Sequence, residues 1–305
     1  MNRKRKKKLK IKKKNFTIFL IIIIVITFLI TELCIMVVNK LNNPETEEKT
    51  PKKKEKEKKS SELDQLENIN EKINYFNTDY IKRYISYKNS NPSLETIQII
   101  KNVNMQLDKT QYEDIIPARN LNTPKVLVNK YYYLEEDYVP KNLETISSMY
   151  ALNGMQLVKE AKIAFESLSK AASKEDLRII AMSSYRSYEY QVDLYNRYVK
   201  QDGKEKADTY SGRPGHSEHQ TGLAVDVYNG KTDYTNFEKT KEFKWMNSHA
   251  HEYGFILRFP KDKEPETGYE YESWHYRYVG EEIATYIKEN NISFEEYYAT
   301  IIKNW

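Results

Sequence analysis

The run FTIFLIIIIVITFLITELCIMVV, residues 16–38, divides the chain before anything else about it can be read. As a helix its 23 residues rise about 1.5 Å each and reach roughly 34 Å, against a bilayer core of about 30 Å. The run is too long for the apolar region of a signal peptide, and no A-x-A cleavage pattern follows it. Nor is TELC around Cys34 a lipid-attachment box. An uncleaved transmembrane anchor is expected. Ten of the first fifteen residues are Lys or Arg, so residues 1–15 should stay cytoplasmic, against the anionic inner leaflet, with the rest of the chain outside.

The overall charge of +5 therefore misleads: those ten cations leave the remainder at −5. A mildly acidic outer part argues against nucleic acid as its partner. The single cysteine, Cys34, sits in the anchor. The outer part has no disulfides and must rely on its core, for which a domain of this size suffices.

Residues 39–61 are almost wholly polar and read as a charged, solvated linker. Residues 62–122 read as a helical stalk or subdomain, in which Ser93 caps a helix with Ile97, Ile100 and Val103 on one face. The main domain, residues 123–305, begins near PKVLVNKYYYL. A helix is expected over 154–173, with Leu157, Ala161, Phe165, Leu168 and Ala172 in one stripe. LRIIAMSS reads as a buried strand. A helix capped by Ser187 follows it. GLAVDVY, FILRF and ESWHYRYV read as further strands. A helix ending at Gly254, with Phe243, Met246, Ala250 and Tyr253 inward, lies among them. Helices and strands mix without βαβ repetition, and no Gly-rich phosphate loop is present. The fold class is α+β with a small antiparallel sheet and flanking helices.

Chemistry concentrates in SGRPGHSEHQTGLAVDV, residues 211–227, and in ESWHYRYV. A carboxylate inside an apolar strand costs several kcal/mol unless it is paired or bound to a metal. Strand alternation turns Leu223, Val225 and Val227 one way and Ala224 and Asp226 the other, so Asp226 can face a cleft beside a loop that carries His219. His275 and Glu272 are three apart. A regular strand would oppose them, so a turn near Ser273 must bring both to the cleft. Sulfur ligands are absent outside the anchor. His219, Asp226 and His275 would then hold zinc, with a fourth position open for water. Glu272 would take a proton from that water and pass it to a leaving amine. Arg186, between a strand end and a helix cap, suits a terminal carboxylate through two charge-assisted bonds. Arg258 and Arg213 are poorer candidates. His216 is expected to be exposed, and His249 and His251 to be surface or packing residues. None of the 26 tyrosines can be singled out.

These segments, with SSYRSYEYQ, resemble the VanY-type D-alanyl-D-alanine carboxypeptidases, zinc peptidases that trim peptidoglycan stem peptides. The likeness runs from about Val126 to Gly280. It implies a zinc D,D-peptidase (hedgehog-like) fold, Zn2+ on His219, Asp226 and His275, and Glu272 as base. It also implies that Arg186 binds the substrate carboxylate or stabilises the oxyanion, and that Gln191 and Ser217 line the pocket. The expected protein is a single-pass, membrane-anchored enzyme facing the cell wall that removes a C-terminal D-alanine. The alternatives are an L,D-carboxypeptidase on tetrapeptide stems, a D,D-dipeptidase or endopeptidase, a catalytically silent wall-binding module, and a structural scaffold.

Overall fold

The computed structural model describes residues 31, 32 and 73–303. Apart from Thr31 and Glu32, the expected anchor lies outside the described residues, as do the basic tail, the linker and the first part of the stalk. Among the described residues no helix is long and apolar enough to cross a membrane. The described residues 73–303 belong to one compact unit.

Eight strands are present among the described residues: β1 (Ile116–Pro117), β2 (Tyr132–Tyr133), β3 (Leu143–Thr145), β4 (Gln156–Val158), β5 (Ile180–Ser183), β6 (Ala224–Tyr228), β7 (Phe255–Leu257) and β8 (His275–Tyr278). The last four build one antiparallel sheet in the order β5-β6-β8-β7. β1 and β2 form a small parallel pair and β3 and β4 an antiparallel one, so the architecture mixes helices with small sheets as expected.

Alternation along β6 and β8 gives the central sheet two unlike faces. Leu223, Val225, Val227 and Tyr276 enter the main core, against Phe165, Leu168 and Ala172 of the helix Lys159–Ser173. Burying Phe165 and Leu168 contributes roughly 1.5–3 kcal/mol each. Asp226 and His275 are direct partners across the other face, and Ala224 opposes Arg277.

Local signals set most boundaries. The Ser187 side chain accepts the Tyr190 N–H and opens the helix Tyr188–Asp202. Gly254, at φ +76°, ends the helical segment before β7. Two expectations need correction. The helix expected from residue 154 begins at Lys159, because residues 156–158 pair with β3 and Val158 donates its N–H to the Gly222 carbonyl. The segment before the second helix stays a turn, its Pro92 and Leu94 carbonyls held by the Lys88 ammonium. That helix therefore runs over Thr96–Asn104 from Glu95 rather than from Ser93, burying Ile99, Ile100 and Val103 while Ile97 is exposed. Met246 and Ala250 are buried and Phe243 and Tyr253 pack against the same core, as expected, joined by Trp245 of the helix Lys241–His249.

The N-terminal helices Ile81–Ser90 and Thr96–Asn104 have their own small core around Tyr84, Ile99, Ile100 and Val103. A Lys101–Glu296 ion pair at 2.6 Å ties them to the C-terminal segment.

Gly222, which ends the turn carrying His219, is a tight backbone position. It adopts φ +68°, and an added Cβ would lie 2.9 Å from Leu143 Cδ2 and 3.1 Å from Val158 Cγ1. Gly222→Ala should lower stability by roughly 1–3 kcal/mol, read as a lower urea midpoint; an unchanged midpoint would show that the turn tolerates a side chain.

Candidate metal centre

Three elements converge on the polar face of the sheet. Asp226 comes from β6 and His275 from β8. His219 comes from the short 3-10 turn Glu218–Thr221 that precedes β6, held to the neighbouring loop because its carbonyl accepts the Arg186 N–H. One donor atom from each of these three residues lies within 4.8 Å of the others. All three are buried. His275 Nδ1 is 2.9 Å from Asp226 Oδ1, and His219 Nε2 is 3.3 Å from Asp226 Oδ2. The imidazole rings meet edge to face at 5.0 Å.

The outward nitrogen of His219 is already committed. Its Nδ1 lies 2.7 Å from the Ser184 carbonyl, an acceptor, so Nδ1 carries the proton and Nε2 turns a lone pair to the centre. Two imidazoles and a carboxylate at this spacing are a donor set that suits zinc, so these residues fit the ion.

Glu272 stands beside them, with Oε2 3.7 Å from His275 Nδ1. The expected break in the strand is present as a turn at Ser273 and Trp274, and Glu272 donates its N–H to the Phe259 carbonyl. Burial pushes the Glu272 carboxyl up to about 8, helped by the charge of Asp226 and opposed by His275 and Arg186. A carboxyl titrating near neutrality can both take and return a proton. Burial would raise the Asp226 carboxyl too, but His219, His275 and Arg186 outweigh it and hold it well below the usual carboxylate range. Burial, reinforced by Arg186, lowers His219 to about 4, so that its imidazole is neutral.

Arg186 Nη2 donates to Asp226 Oδ2 at 2.7 Å and to the Ser183 hydroxyl at 2.9 Å, while 19% of its side chain stays exposed. Gln191 donates to the Gly212 carbonyl at 2.7 Å, and its buried Oε1 has no partner. Both residues and Ser217 line a cavity of about 510 Å³ with the three donors and Glu272 on its wall.

Other sequence expectations fare differently. His216 is buried rather than exposed: its Nδ1 lies 2.8 Å from the Asn129 carbonyl, and its ring meets Tyr112 edge-on. Arg258 is fully buried against Glu218 and Glu295, and Arg213 pairs with Asp208. Neither lines the cavity. His249 stacks on Trp245 at 4.7 Å, a packing residue as expected. Sequence reasoning passed over Glu218, which sits between two arginines behind His275. It also passed over the six tyrosines on the cavity wall, Tyr190, Tyr198, Tyr210, Tyr234, Tyr269 and Tyr271. The only signal for Glu218 was its place next to His219.

Nitrogen and carboxylate donors with a neutral-range carboxyl alongside are the equipment of metal-dependent hydrolases. Residues 154–281 match the VanY family model, described as D-alanyl-D-alanine carboxypeptidase. The Bacillus subtilis protein YodJ is 37% identical over 216 residues, 67% of this chain and 79% of that one. The solved structure of the LD-carboxypeptidase LdcB is 37% identical, with a TM-score of 0.57 over 63% of this chain and 93% of that one. A vancomycin-resistance D,D-pentapeptidase VanY mutant solved with Zn(II) is 32% identical, with a TM-score of 0.50 over 57% of this chain and 98% of that one. The chain belongs to the VanY family of D-alanyl-D-alanine carboxypeptidases.

Replacing a donor should differ from replacing the neighbouring carboxyl. His275→Ala should weaken zinc binding by at least about 100-fold, while Glu272→Gln should leave it within about threefold. Competition with a chromogenic chelator measures both, and equal affinities for the two variants would contradict the assignment.

Proposed function

We propose that the chain is a zinc-dependent D,D-carboxypeptidase that removes the C-terminal D-alanine from peptidoglycan stem peptides. The observation that carries this reading is Asp226 flanked by two imidazoles, with Glu272 alongside, on the wall of a cavity that also holds a guanidinium. His219 Nε2, His275 Nδ1 and the Asp226 carboxylate would hold the zinc. When bound, zinc supplies Lewis-acid chemistry, acidifying a water and polarising the scissile carbonyl.

The other steps belong to the protein. Glu272 accepts the proton of the attacking water and returns it to the departing D-alanine amine, a role suited to its raised pKa. Arg186 holds the substrate's terminal carboxylate or the developing oxyanion, which a planar guanidinium meets with two donors. Gln191 Oε1, buried without a partner, is placed to accept a substrate N–H. Ser217 forms the wall beside His219.

In the same proposal, residues 16–38 anchor the chain in the cell membrane and residues 39–61 tether the enzyme on the cell-wall side. Cells converted to protoplasts test this arrangement. Protease added outside should release the domain from the membrane, and resistance to it would place the domain inside.

An L,D-carboxypeptidase acting on tetrapeptide stems is the second reading. The greater likeness to LdcB than to the zinc-bound VanY favours it. Muropeptides ending in pentapeptide and in tetrapeptide separate the two by product mass. Loss of one alanine from the pentapeptide alone supports the D,D reading; loss from the tetrapeptide alone replaces it with the L,D one. Glu272→Gln should lower turnover by roughly 10²–10⁴-fold on the productive substrate, and wild-type turnover would remove Glu272 from the chemistry.

A further inference from the structure

Glu218 is buried, and its two carboxylate oxygens have different surroundings. Oε1 accepts from Arg258 Nε at 2.8 Å and from Arg277 Nη1 at 2.9 Å. Oε2 accepts no hydrogen bond and lies 3.6 Å from His275 Nε2, which is buried and equally without a hydrogen bond. The nearby charges are already matched. The other two nitrogens of Arg258 grip Glu295 at 2.9 and 2.6 Å. Arg277 Nη2 donates to the Pro124 and Val126 carbonyls, and its Nε to the Tyr278 carbonyl. One carboxylate oxygen and one imidazole nitrogen therefore remain, facing each other.

A neutral imidazole carries one proton, and whichever nitrogen holds it leaves the other with a lone pair. From this geometry we infer that Glu218 is the positioning residue for His275: Oε2 accepts the Nε2 proton, fixing the ring and leaving Nδ1 free for the metal. The inference rests on the zinc reading above. A carboxylate behind a ligating imidazole orients the ring and makes it a better donor. The Ser184 carbonyl serves His219 in the same way. Two consecutive residues thus supply one ligand, His219, and the group that sets the other.

The arrangement extends beyond the matched family region. Glu295 lies in the helix Phe294–Tyr297, past residue 281, and Asn129 donates to it at 3.1 Å. By occupying two Arg258 nitrogens, Glu295 leaves Glu218 with an oxygen for His275.

The test uses the full chain in detergent, labelled with 15N-histidine and loaded with zinc. In the wild type, the His275 Nε2 should carry a slowly exchanging proton and Nδ1 should show the shift of a metal-bound nitrogen. A proton on Nδ1 overturns the inference, and this readout needs no variant to fold. Glu218→Gln should weaken zinc binding by about 10–100-fold, while Glu295→Gln, which removes the same charge from the same arginine cluster, should weaken it by no more than about threefold. Equal losses in the two variants would reduce Glu218 to a structural role and overturn the inference. Failure of the wild type to bind zinc would instead overturn the zinc reading beneath it.

Discussion

The site depends on the pairing of β6 with β8 in the register that sets Asp226 opposite His275. A one-residue slip would turn Asp226 into the main core and Val225 or Val227 toward the cavity, since side chains alternate with a period of two. The apolar face against the helix Lys159–Ser173 blocks that slip, because Val225, Val227 and Tyr276 have places only there. Core packing and ligand placement are thus one constraint read from two faces. The buried Asp226 carboxylate is tolerable because two imidazoles and Arg186 surround it.

Glu272 uses the same setting differently. Its aromatic surroundings include Phe259, whose ring is 5.0 Å from that of His275, and Trp274, which meets Tyr234 at 5.0 Å. Burial pushes Glu272 up, while the His219 and His275 imidazoles and the Arg186 guanidinium hold Asp226 down. Two carboxyls close together are so driven to opposite protonation states, a difference that suits the acid–base and ligand roles proposed for them. The 3-10 turn carrying His219 ends at Gly222, where no side chain fits between Leu143 and Val158.

Much of this was legible in the sequence because it is local. Alternation in GLAVDV placed Asp226 on the cavity side, Ser187 announced its helix, and the three-residue spacing of Glu272 and His275 demanded the turn now seen at Ser273. What was not legible is long-range. His216 looked exposed in a glycine-rich loop, but Asn129, 87 residues earlier, supplies the carbonyl that buries it. Glu218 read as one more polar residue because its partners Arg258, Arg277 and His275 lie 40 to 59 residues away. Ile97 read as a core residue, but the face that meets the core is centred on Ile99, Ile100 and Val103, and Ile97 lies off it and exposed.

The proposed chemistry requires one metal ion among His219, Asp226 and His275. Anomalous diffraction at the zinc edge, on crystals of zinc-loaded protein, tests it most directly. A single peak is expected about 2.0–2.2 Å from His219 Nε2, His275 Nδ1 and an Asp226 carboxylate oxygen. A peak elsewhere, or none at this triad in zinc-containing crystals, would contradict it.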